Sequence, residues 1–219
     1  MKKRKRILSG LLAALLWLSG CARAEGLLIS LGDSLARGYG LEDKTLRYSA
    51  LTAKELDMQE INLGADGQMA METLEAVREN RDLIEQADII LISIGANHIL
   101  PVLLGRNEDV EMRLISFERE LDILLLAVAE AAPGGRVVIL TFGCPAEAGE
   151  EARAVCGRLN EIIRTAAENY GFLTAETAQA IYAYEGECWQ ADGLHPDETG
   201  HRLLADSILD TLQDETLRE

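Results

Sequence analysis

The sequence predicts an α/β fold, a three-layer α/β/α sandwich in which helices cover both faces of a mostly parallel five-stranded sheet. Short apolar runs that end at glycine alternate with segments of helical periodicity along almost the whole chain. No internal repeat and no low-complexity linker interrupts this alternation. Alternation of this kind is typical of parallel strands that are joined by right-handed helical crossovers.

Five segments have the composition of buried strands. The clearest is ADIILISI at 87–94, a strongly apolar and β-branched run that is typical of a central parallel strand. The strand segments are 27–31, 59–63, 87–94, 136–142 and 171–175. They supply the five strands of the predicted sheet.

Amphipathic helices are predicted between and after these strands. The longest contains apolar residues at spacings of three and four from Val110 to Val128, and Pro133-Gly134-Gly135 ends it. The others are predicted over 49–56, 72–85, 155–166 and 198–212. In open parallel sheets the active site lies at the carboxyl ends of the strands. Polar motifs that follow the predicted strands are therefore the candidates for the site.

Composition indicates a globular and strongly acidic protein. Of the 219 residues 48% are hydrophobic, and the net charge is -16. Five basic residues lie together at 2–6, so the rest of the chain is still more acidic. Phosphate backbones and anionic membrane surfaces repel such a chain, which argues against nucleic-acid binding. Any membrane attachment therefore requires a hydrophobic or covalent anchor.

The N-terminal segment has the layout of a secretory signal peptide. A basic stretch precedes an apolar run from Ile7 to Leu18, which is too short to span a bilayer comfortably. The following Leu18-Ser19-Gly20-Cys21 resembles the lipobox of bacterial lipoproteins. We therefore expect a signal peptide at 1–20, a lipidated Cys21 in a tether at 21–26, and one domain at 27–219.

The lipidated form would be exported and anchored to the bacterial cell envelope, because acyl chains on Cys21 bury many methylene groups in the membrane. The alternative is an ordinary signal peptide that is cut after Ala22-Arg23-Ala24, which would remove Cys21. Three further cysteines, Cys144, Cys156 and Cys188, allow one disulfide, and Cys144 and Cys156 are the nearest in sequence. Their pairing does not follow from sequence, and the cysteine spacings do not match a zinc site.

Four polar segments lie next to predicted elements, where the topology places them at one edge of the sheet. Gly32-Asp33-Ser34-Leu35 follows the first strand, and Gly67 belongs to the segment after the second strand. Gly95-Ala96-Asn97 follows the third strand, and Asp192-Gly193-Leu194-His195-Pro196 precedes the last helix. Each segment alone is weak evidence, but their joint order is hard to obtain by chance.

The residue types in these segments fit nucleophilic catalysis. A serine hydroxyl needs a neutral imidazole to accept its proton, and a carboxylate to fix the imidazole tautomer. Asp192 and His195 are three residues apart and can face one side of a tight loop. Backbone amides of Ser34 and Gly67 and the side-chain amide of Asn97 would then hold an oxyanion. If His195 is the base, the hydrolytic rate falls as acidification protonates it.

On these motifs the chain resembles the SGNH, or GDSL, hydrolase family from about Leu28 to the last helix, which is nearly the whole expected mature chain. The resemblance implies the flavodoxin-like fold of that family and a catalytic triad of Ser34, Asp192 and His195. It also implies an oxyanion hole formed by Ser34, Gly67 and Asn97. The family hydrolyses esters and thioesters without a metal or cofactor.

The chain departs from the family pattern at two positions. His98 stands where the family commonly has aspartate, and it is interpreted as packed at a helix start, as a group behind the site or as a substrate contact. Asp66 precedes Gly67, where a small neutral residue is more usual, and we expect its carboxylate to point away from the oxyanion hole. Arg37, Tyr39, Arg47, Trp189 and the apolar segment 100–104 are further candidates for substrate contact or for packing.

The leading hypothesis is a serine esterase that hydrolyses lipid, lysophospholipid or other acyl esters through an acyl-enzyme. Two alternatives remain open: a carbohydrate O-deacetylase of the same fold, and a non-catalytic surface lipoprotein that binds a ligand. The expected partners are a small-molecule or lipid ester and, through Cys21, the membrane. The acyl length, the alcohol and the oligomeric state do not follow from the sequence.

Overall fold

The computed structural model describes residues 26–106, 109–145 and 147–216. The predicted signal peptide and Cys21 lie outside the described residues. Five strands form a single sheet in the order β2-β1-β3-β4-β5, and every neighbouring pair is parallel. The strands are β1 (Gly26–Gly32), β2 (Met58–Asn62), β3 (Ile89–Ser93), β4 (Arg136–Leu140) and β5 (Leu173–Ala175). The predicted α/β class and the five strands are confirmed, and the sheet is wholly parallel.

The helices connect and flank these strands. They are α1 (Ser34–Arg37), α2 (Tyr48–Glu55), α3 (Ala70–Glu79), α4 (Arg81–Ile84), α5 (Ala96–Leu103), α6 (Val110–Ala131), α7 (Glu150–Asn169), α8 (Thr177–Ala183) and α9 (Glu198–Thr216). A short 3-10 turn spans Lys44–Leu46. The single helix expected over 72–85 is instead divided at Asn80, whose side chain donates to the carbonyl of Ala76 and ends α3 there.

Two apolar clusters fill the space between the sheet and its helices. Alternate residues of a strand point to opposite faces, so Ile90 and Ile92 pack against α3, α6 and α7, while Ile89 and Leu91 pack against α2 and α9. All four of these side chains are fully buried. The sheet is therefore covered by helices on both faces, as its continuous apolar strands require.

Cys144 and Cys156 lie together in the apolar cluster that is covered by α3, α6 and α7. The Cys156 thiol donates a hydrogen bond to Cys144 Sγ at 2.7 Å, and both side chains are buried. Cys188 is buried separately, next to the cluster behind α2 and α9. All three are free thiols in this structure.

Candidate active site

Ser34 begins α1 directly beyond the end of β1. Gly32 has φ of 128°, and a Cβ atom there would lie 1.8 Å from the carbonyl oxygen of Ser93. Only glycine therefore permits the close approach of β1 and β3 at this point. The next amide, of Asp33, donates to the same Ser93 oxygen at 3.1 Å. Ser34 is thereby held at the carboxyl edge of the two central strands.

Asp33 caps the short helix that carries Ser34. Its Oδ1 accepts the backbone N–H of Leu35 at 3.0 Å, and the side chain is almost completely buried. Burial raises the pKa of Asp33 to about 7, although the amide of Leu35 acts in the opposite direction. This carboxyl group supports the turn and does not contact His195 in the described hydrogen bonds.

Ser34, His195 and Asp192 form a continuous hydrogen-bonded chain. Ser34 Oγ lies 2.9 Å from His195 Nε2, and His195 Nδ1 lies 2.7 Å from Asp192 Oδ2. The two nitrogens of one imidazole therefore face a hydroxyl and a carboxylate. With the proton on Nδ1, Nε2 is free to accept the proton of the serine.

The carboxylate of Asp192 is fixed by its own loop. Its Oδ1 accepts the backbone N–H groups of Leu194 at 2.9 Å and of His195 at 3.0 Å. Partial burial pushes the pKa of Asp192 upward, but these amides and the imidazole of His195 outweigh it, so the pKa lies below the usual range. Asp192 is thus ionised and oriented before any substrate binds.

The same loop is tied to the body of the protein by Gln190. Its side-chain amide donates to the carbonyls of Tyr39 at 2.7 Å and Pro196 at 2.9 Å, while its backbone N–H donates to the carbonyl of His195. The ring of Tyr39 lies 4.5 Å from the imidazole of His195, centroid to centroid. These contacts restrict His195 to the position that faces Ser34.

The two remaining predicted site residues line the same cavity as Ser34. Gly67 has φ of 76°, which favours glycine, and an added Cβ atom would meet no atom within 4 Å. Asn97 lies in the first turn of α5, and its Nδ2 donates to the carbonyl of Gln68 at 2.9 Å. A side-chain amide carries two N–H groups, so one remains for a ligand after this contact orients the group.

The cavity beside Ser34 has a volume of about 230 Å³. Ser34, Asn97 and His195 belong to its lining, and its wall is mainly apolar. The apolar part of the lining comprises Leu35, Ile94, Leu100, Leu140, Phe142, Ile181, Trp189, Leu194 and Leu204. The site therefore combines a polar reaction centre with an apolar compartment.

His98 lies outside the cavity lining. It is 1% exposed, its ring packs against Phe117 at 4.9 Å, and its Nε2 lies 3.0 Å from Glu120 Oε2. Burial lowers the pKa of His98, although the carboxylate of Glu120 opposes that effect. Of the interpretations of His98, packing between α5 and α6 agrees with this placement.

Asp66 does line the cavity, but its charge has a partner. Its Oδ2 accepts from the guanidinium of Arg37 at 2.6 Å in a partly exposed pair. Arg47 pairs instead with Glu60 at 2.8 Å, behind α2. Of the further candidates for substrate contact, Tyr39, Trp189 and Leu100 line the cavity, whereas Arg47 does not.

Some cavity residues carried no signal in the sequence. Phe142, Thr177 and Ile181 line the cavity, and the last two belong to α8, a helix whose seven residues show no clear periodic pattern. Gln190 is adjacent to Trp189, but nothing in the sequence indicates its contacts with the chain segments around it. These residues become visible only when β4, α8 and the histidine loop are brought together.

Neither a metal cluster nor a membrane-spanning helix is found in the part of the chain that the structure describes. No group of three or more His, Cys, Asp or Glu side chains is placed there to hold a metal ion. No helix among these residues combines the length and apolar character needed to cross a bilayer.

Comparison with known proteins identifies a matching family. Residues 30–203 match the model of the GDSL-like Lipase/Acylhydrolase family. No curated protein sequence matches the chain.

Several solved structures share the fold. A lipase from a goat rumen metagenome has a TM-score of 0.77 at 18% identity, covering 85% of this chain and 97% of that one. Phospholipase A1 from Streptomyces albidoflavus has a TM-score of 0.68 at 19% identity, with 86% and 100% covered. A lipase/acylhydrolase from Enterococcus faecalis has a TM-score of 0.67 at 22% identity, with 87% and 96% covered.

Proposed function

The chain belongs to the GDSL-like lipase/acylhydrolase family and is an ester hydrolase of that type, and from this premise we propose that Ser34 is its nucleophile, with His195 as the base and Asp192 as the residue that orients it. The observation that carries the proposal is the unbroken relay of hydrogen bonds, 2.9 Å from Ser34 to His195 and 2.7 Å from His195 to Asp192. This is the arrangement that nucleophilic catalysis by serine requires.

In the proposed reaction, Ser34 Oγ attacks the carbonyl carbon of the ester as its proton passes to His195 Nε2. The carbonyl oxygen becomes an oxyanion, and the amides of Ser34, Gly67 and Asn97 donate to it. The oxyanion collapses, the bond to the alcohol breaks, and His195 returns the proton to the leaving alcohol. Water, deprotonated by His195, then releases the acid and restores Ser34.

Ser34 is tested with a phosphonate probe and with ester hydrolysis. We expect the probe to label the wild-type protein at Ser34, and Ser34→Ala to lose both labelling and at least about 10⁴-fold in kcat/KM. Ser116→Ala is the matched control, because Ser116 bonds to Glu120 on α6 away from the cavity and should leave activity unchanged. Equal turnover by the Ser34→Ala variant would exclude Ser34 as the nucleophile.

A carbohydrate O-deacetylase would use the same relay, so the acyl group and the alcohol separate it from a lipid esterase. Hydrolysis restricted to acetyl esters of sugars would support the deacetylase, whereas hydrolysis of longer acyl esters supports the esterase. The apolar wall of the cavity favours the esterase, because an acetyl group would leave most of that wall without contact. The intact relay argues against a ligand-binding protein that has lost catalysis.

The cellular setting follows from the N-terminal motif. We propose that Cys21 is lipidated and that the hydrolase acts at the cell envelope; the support is the Leu18-Ser19-Gly20-Cys21 sequence after a basic and apolar leader. Metabolic labelling with an alkyne fatty acid should mark the wild-type chain in the membrane fraction. Cys21→Ser should abolish the label, and release of an unlabelled wild-type chain cut after Ala24 would refute the anchor.

A further inference from the structure

We propose, resting on the proposed esterase function, that the cavity beside Ser34 takes the acyl group of the substrate and selects short and medium acyl chains over long ones. Gly143 and Ile181 are the residues that the structure assigns to this selection. Both line the cavity, yet neither belongs to a catalytic motif. The inference therefore concerns which ester is cleaved rather than how it is cleaved.

The wall of the cavity favours a hydrocarbon chain over a sugar. Its two threonines already use their hydroxyl groups: Thr177 donates to the carbonyl of Thr141, and Thr141 Oγ1 accepts the backbone N–H of Ala178 at 3.0 Å. The apolar side chains of Phe142, Trp189 and Leu194 in the lining are partly exposed. An acyl chain would replace water on these apolar surfaces without leaving any of the threonine groups unpaired.

The volume sets the length of the chain. Pockets for drug-sized ligands measure about 300–1,000 Å³, and this cavity is smaller, at about 230 Å³. A cavity below this range suits a short acyl group better than a long one. A palmitoyl chain would therefore extend beyond the cavity.

Gly143 and Ile181 lie against each other at this cavity. A Cβ atom added to Gly143 would stand 3.7 Å from three carbons of the Ile181 side chain, an ordinary van der Waals distance. Alanine at 143 is therefore accommodated but takes space, whereas truncation of Ile181 creates space. The two positions allow the cavity to be narrowed and widened without touching Ser34, Asp192 or His195.

The test is a p-nitrophenyl ester series from acetate to palmitate on the full chain carrying Cys21→Ser. We expect the wild-type cavity to give the highest kcat/KM between butanoate and octanoate. Ile181→Ala should raise the dodecanoate-to-butanoate ratio about tenfold, and Gly143→Val should lower the octanoate-to-acetate ratio by a similar factor. Gly143→Ala should shift that ratio in the same direction by a smaller factor, and it serves if the valine variant does not fold.

Gly157→Ala on α7 is the matched control, because a Cβ atom there meets nothing within 4 Å, and its profile should equal that of the unmodified cavity. A profile that rises to palmitate, or one that none of the cavity variants shifts, would overturn this inference while phosphonate labelling of Ser34 still supported the esterase. Absence of both labelling and hydrolysis would instead refute the proposed function.

An independent observation concerns Cys144 and Cys156, and we infer that they form a disulfide when the chain folds under oxidising conditions. Cys144 stands in the loop after β4, next to the cavity residue Gly143, and Cys156 lies on α7. Their sulfur atoms are hydrogen-bonded and the side chains are 2% and 1% exposed. The bond would join the cavity wall to the helix behind it.

The oxidant in this step is a small-molecule disulfide such as oxidised glutathione. The thiolate of one cysteine attacks it and displaces one thiol, and the second cysteine then displaces the other from the mixed disulfide. Two protein thiols thus lose two electrons and two protons, and one external disulfide becomes two thiols. The hydrogen bond from Cys156 also lowers the pKa of Cys144, which favours the attacking thiolate.

The full chain carrying Cys21→Ser and Cys188→Ser contains only these two thiols, so it tests the bridge directly. After refolding in a glutathione redox buffer, we expect no alkylated cysteine and a cross-linked peptide containing Cys144 and Cys156. Reductant should lower its melting temperature by roughly 5–10 °C. Adding Cys156→Ser should leave Cys144 alkylated and remove the effect of reductant, whereas two free thiols in the refolded parent would overturn the inference.

Discussion

His195 and His201 are six residues apart, but they occupy opposite environments. The side chain of His195 is 16% exposed and lines the cavity, where its Nε2 faces the hydroxyl of Ser34. His201 is 1% exposed between α9 and α2, where Nδ1 accepts the backbone N–H of Tyr48 and the ring stacks on the Tyr48 ring. One imidazole can exchange a proton with a ligand, whereas the other is enclosed by the fold.

Two carboxyl groups show the same contrast. Burial raises the pKa of Asp33 to about 7, whereas hydrogen bonds from its loop and from His195 hold the pKa of Asp192 below the usual range against the effect of partial burial. Asp192 is therefore charged beside the imidazole of His195, whereas Asp33 is only partly ionised near pH 7, where it supports a turn. Surroundings, rather than residue type, separate the groups that act from those that support.

The largest expected effect comes from replacing His195 and His201 with alanine, one at a time. His195→Ala should lower kcat/KM by at least about 10⁴-fold, because the proposed base is removed. It should change the melting temperature little, because the imidazole is partly exposed and lies outside the apolar core. His201→Ala should do the reverse, with a lower melting temperature and nearly full specific activity of the folded fraction. Activity assays paired with thermal unfolding check both, and loss of catalysis in folded His201→Ala would break the contrast.

Asp192→Asn should have the next largest effect, a fall of about 10³–10⁴-fold in kcat. An amide at this position does not hold the proton on Nδ1 of His195 as a carboxylate does, so the tautomer is no longer fixed. Asp197→Asn is the matched control in the same loop, because Asp197 accepts the N–H of Gly200 and serves the start of α9. Comparable losses in the two variants would show that the loop, rather than the carboxylate of Asp192, carries the effect.

Asn97→Ala should lower kcat about 10²–10³-fold with little change in KM, because the oxyanion develops during the reaction and is absent from the bound substrate. Asn80→Ala is its control, since Asn80 also donates to a backbone carbonyl but lies between α3 and α4 away from the cavity. Steady-state kinetics on a soluble ester separates the two parameters. A change confined to KM would mean that Asn97 binds the ground state and does not stabilise the oxyanion.

Much of the sheet was predictable, because buried parallel strands are apolar runs that end where polar loops begin. The predicted strand 87–94 contains β3, and its ends differ by one or two residues. The short helices were not predictable in this way. Pro101 interrupts the pattern of α5, and α8 is held by contacts such as that of Thr177 with Thr141, which are distant in sequence.

The site divides along the same line. Ser34, Asp192 and His195 lie in motifs whose order along the chain reports the chemistry, and the structure brings all three together. The apolar wall of the cavity does not lie in such motifs, because Gly143 and Ile181 meet only where α8 packs against the segment that follows β4. Chemistry is thus readable from local sequence, whereas cavity size depends on tertiary contacts.

The smallest expected effect is on how the folding stability of the protein changes with acidification. Two buried groups, His201 and Asp33, should change it in opposite directions. Burial, aided by the positive charges of Arg47 and Lys44 and by His195, lowers the pKa of His201 to about 3 in the folded state. The unfolded state, with an ordinary histidine pKa near 6.5, takes up a proton that the folded state refuses. Stability is therefore lost as the pH falls below about 6.5, by about 1.4 kcal/mol per pH unit.

Asp33 acts with the opposite sign. Its folded pKa of about 7 lies above the ordinary value, so the folded state binds the extra proton, and acidification from pH 7 towards 4 increases stability through this group. Chemical denaturation at pH 7.5 and 5 should therefore show His201→Asn losing less stability than wild type and Asp33→Asn losing more. An equal change in stability in all three proteins would mean that the pKa of neither His201 nor Asp33 is shifted in the folded state. The contrast between buried and exposed groups would then depend on their geometry alone.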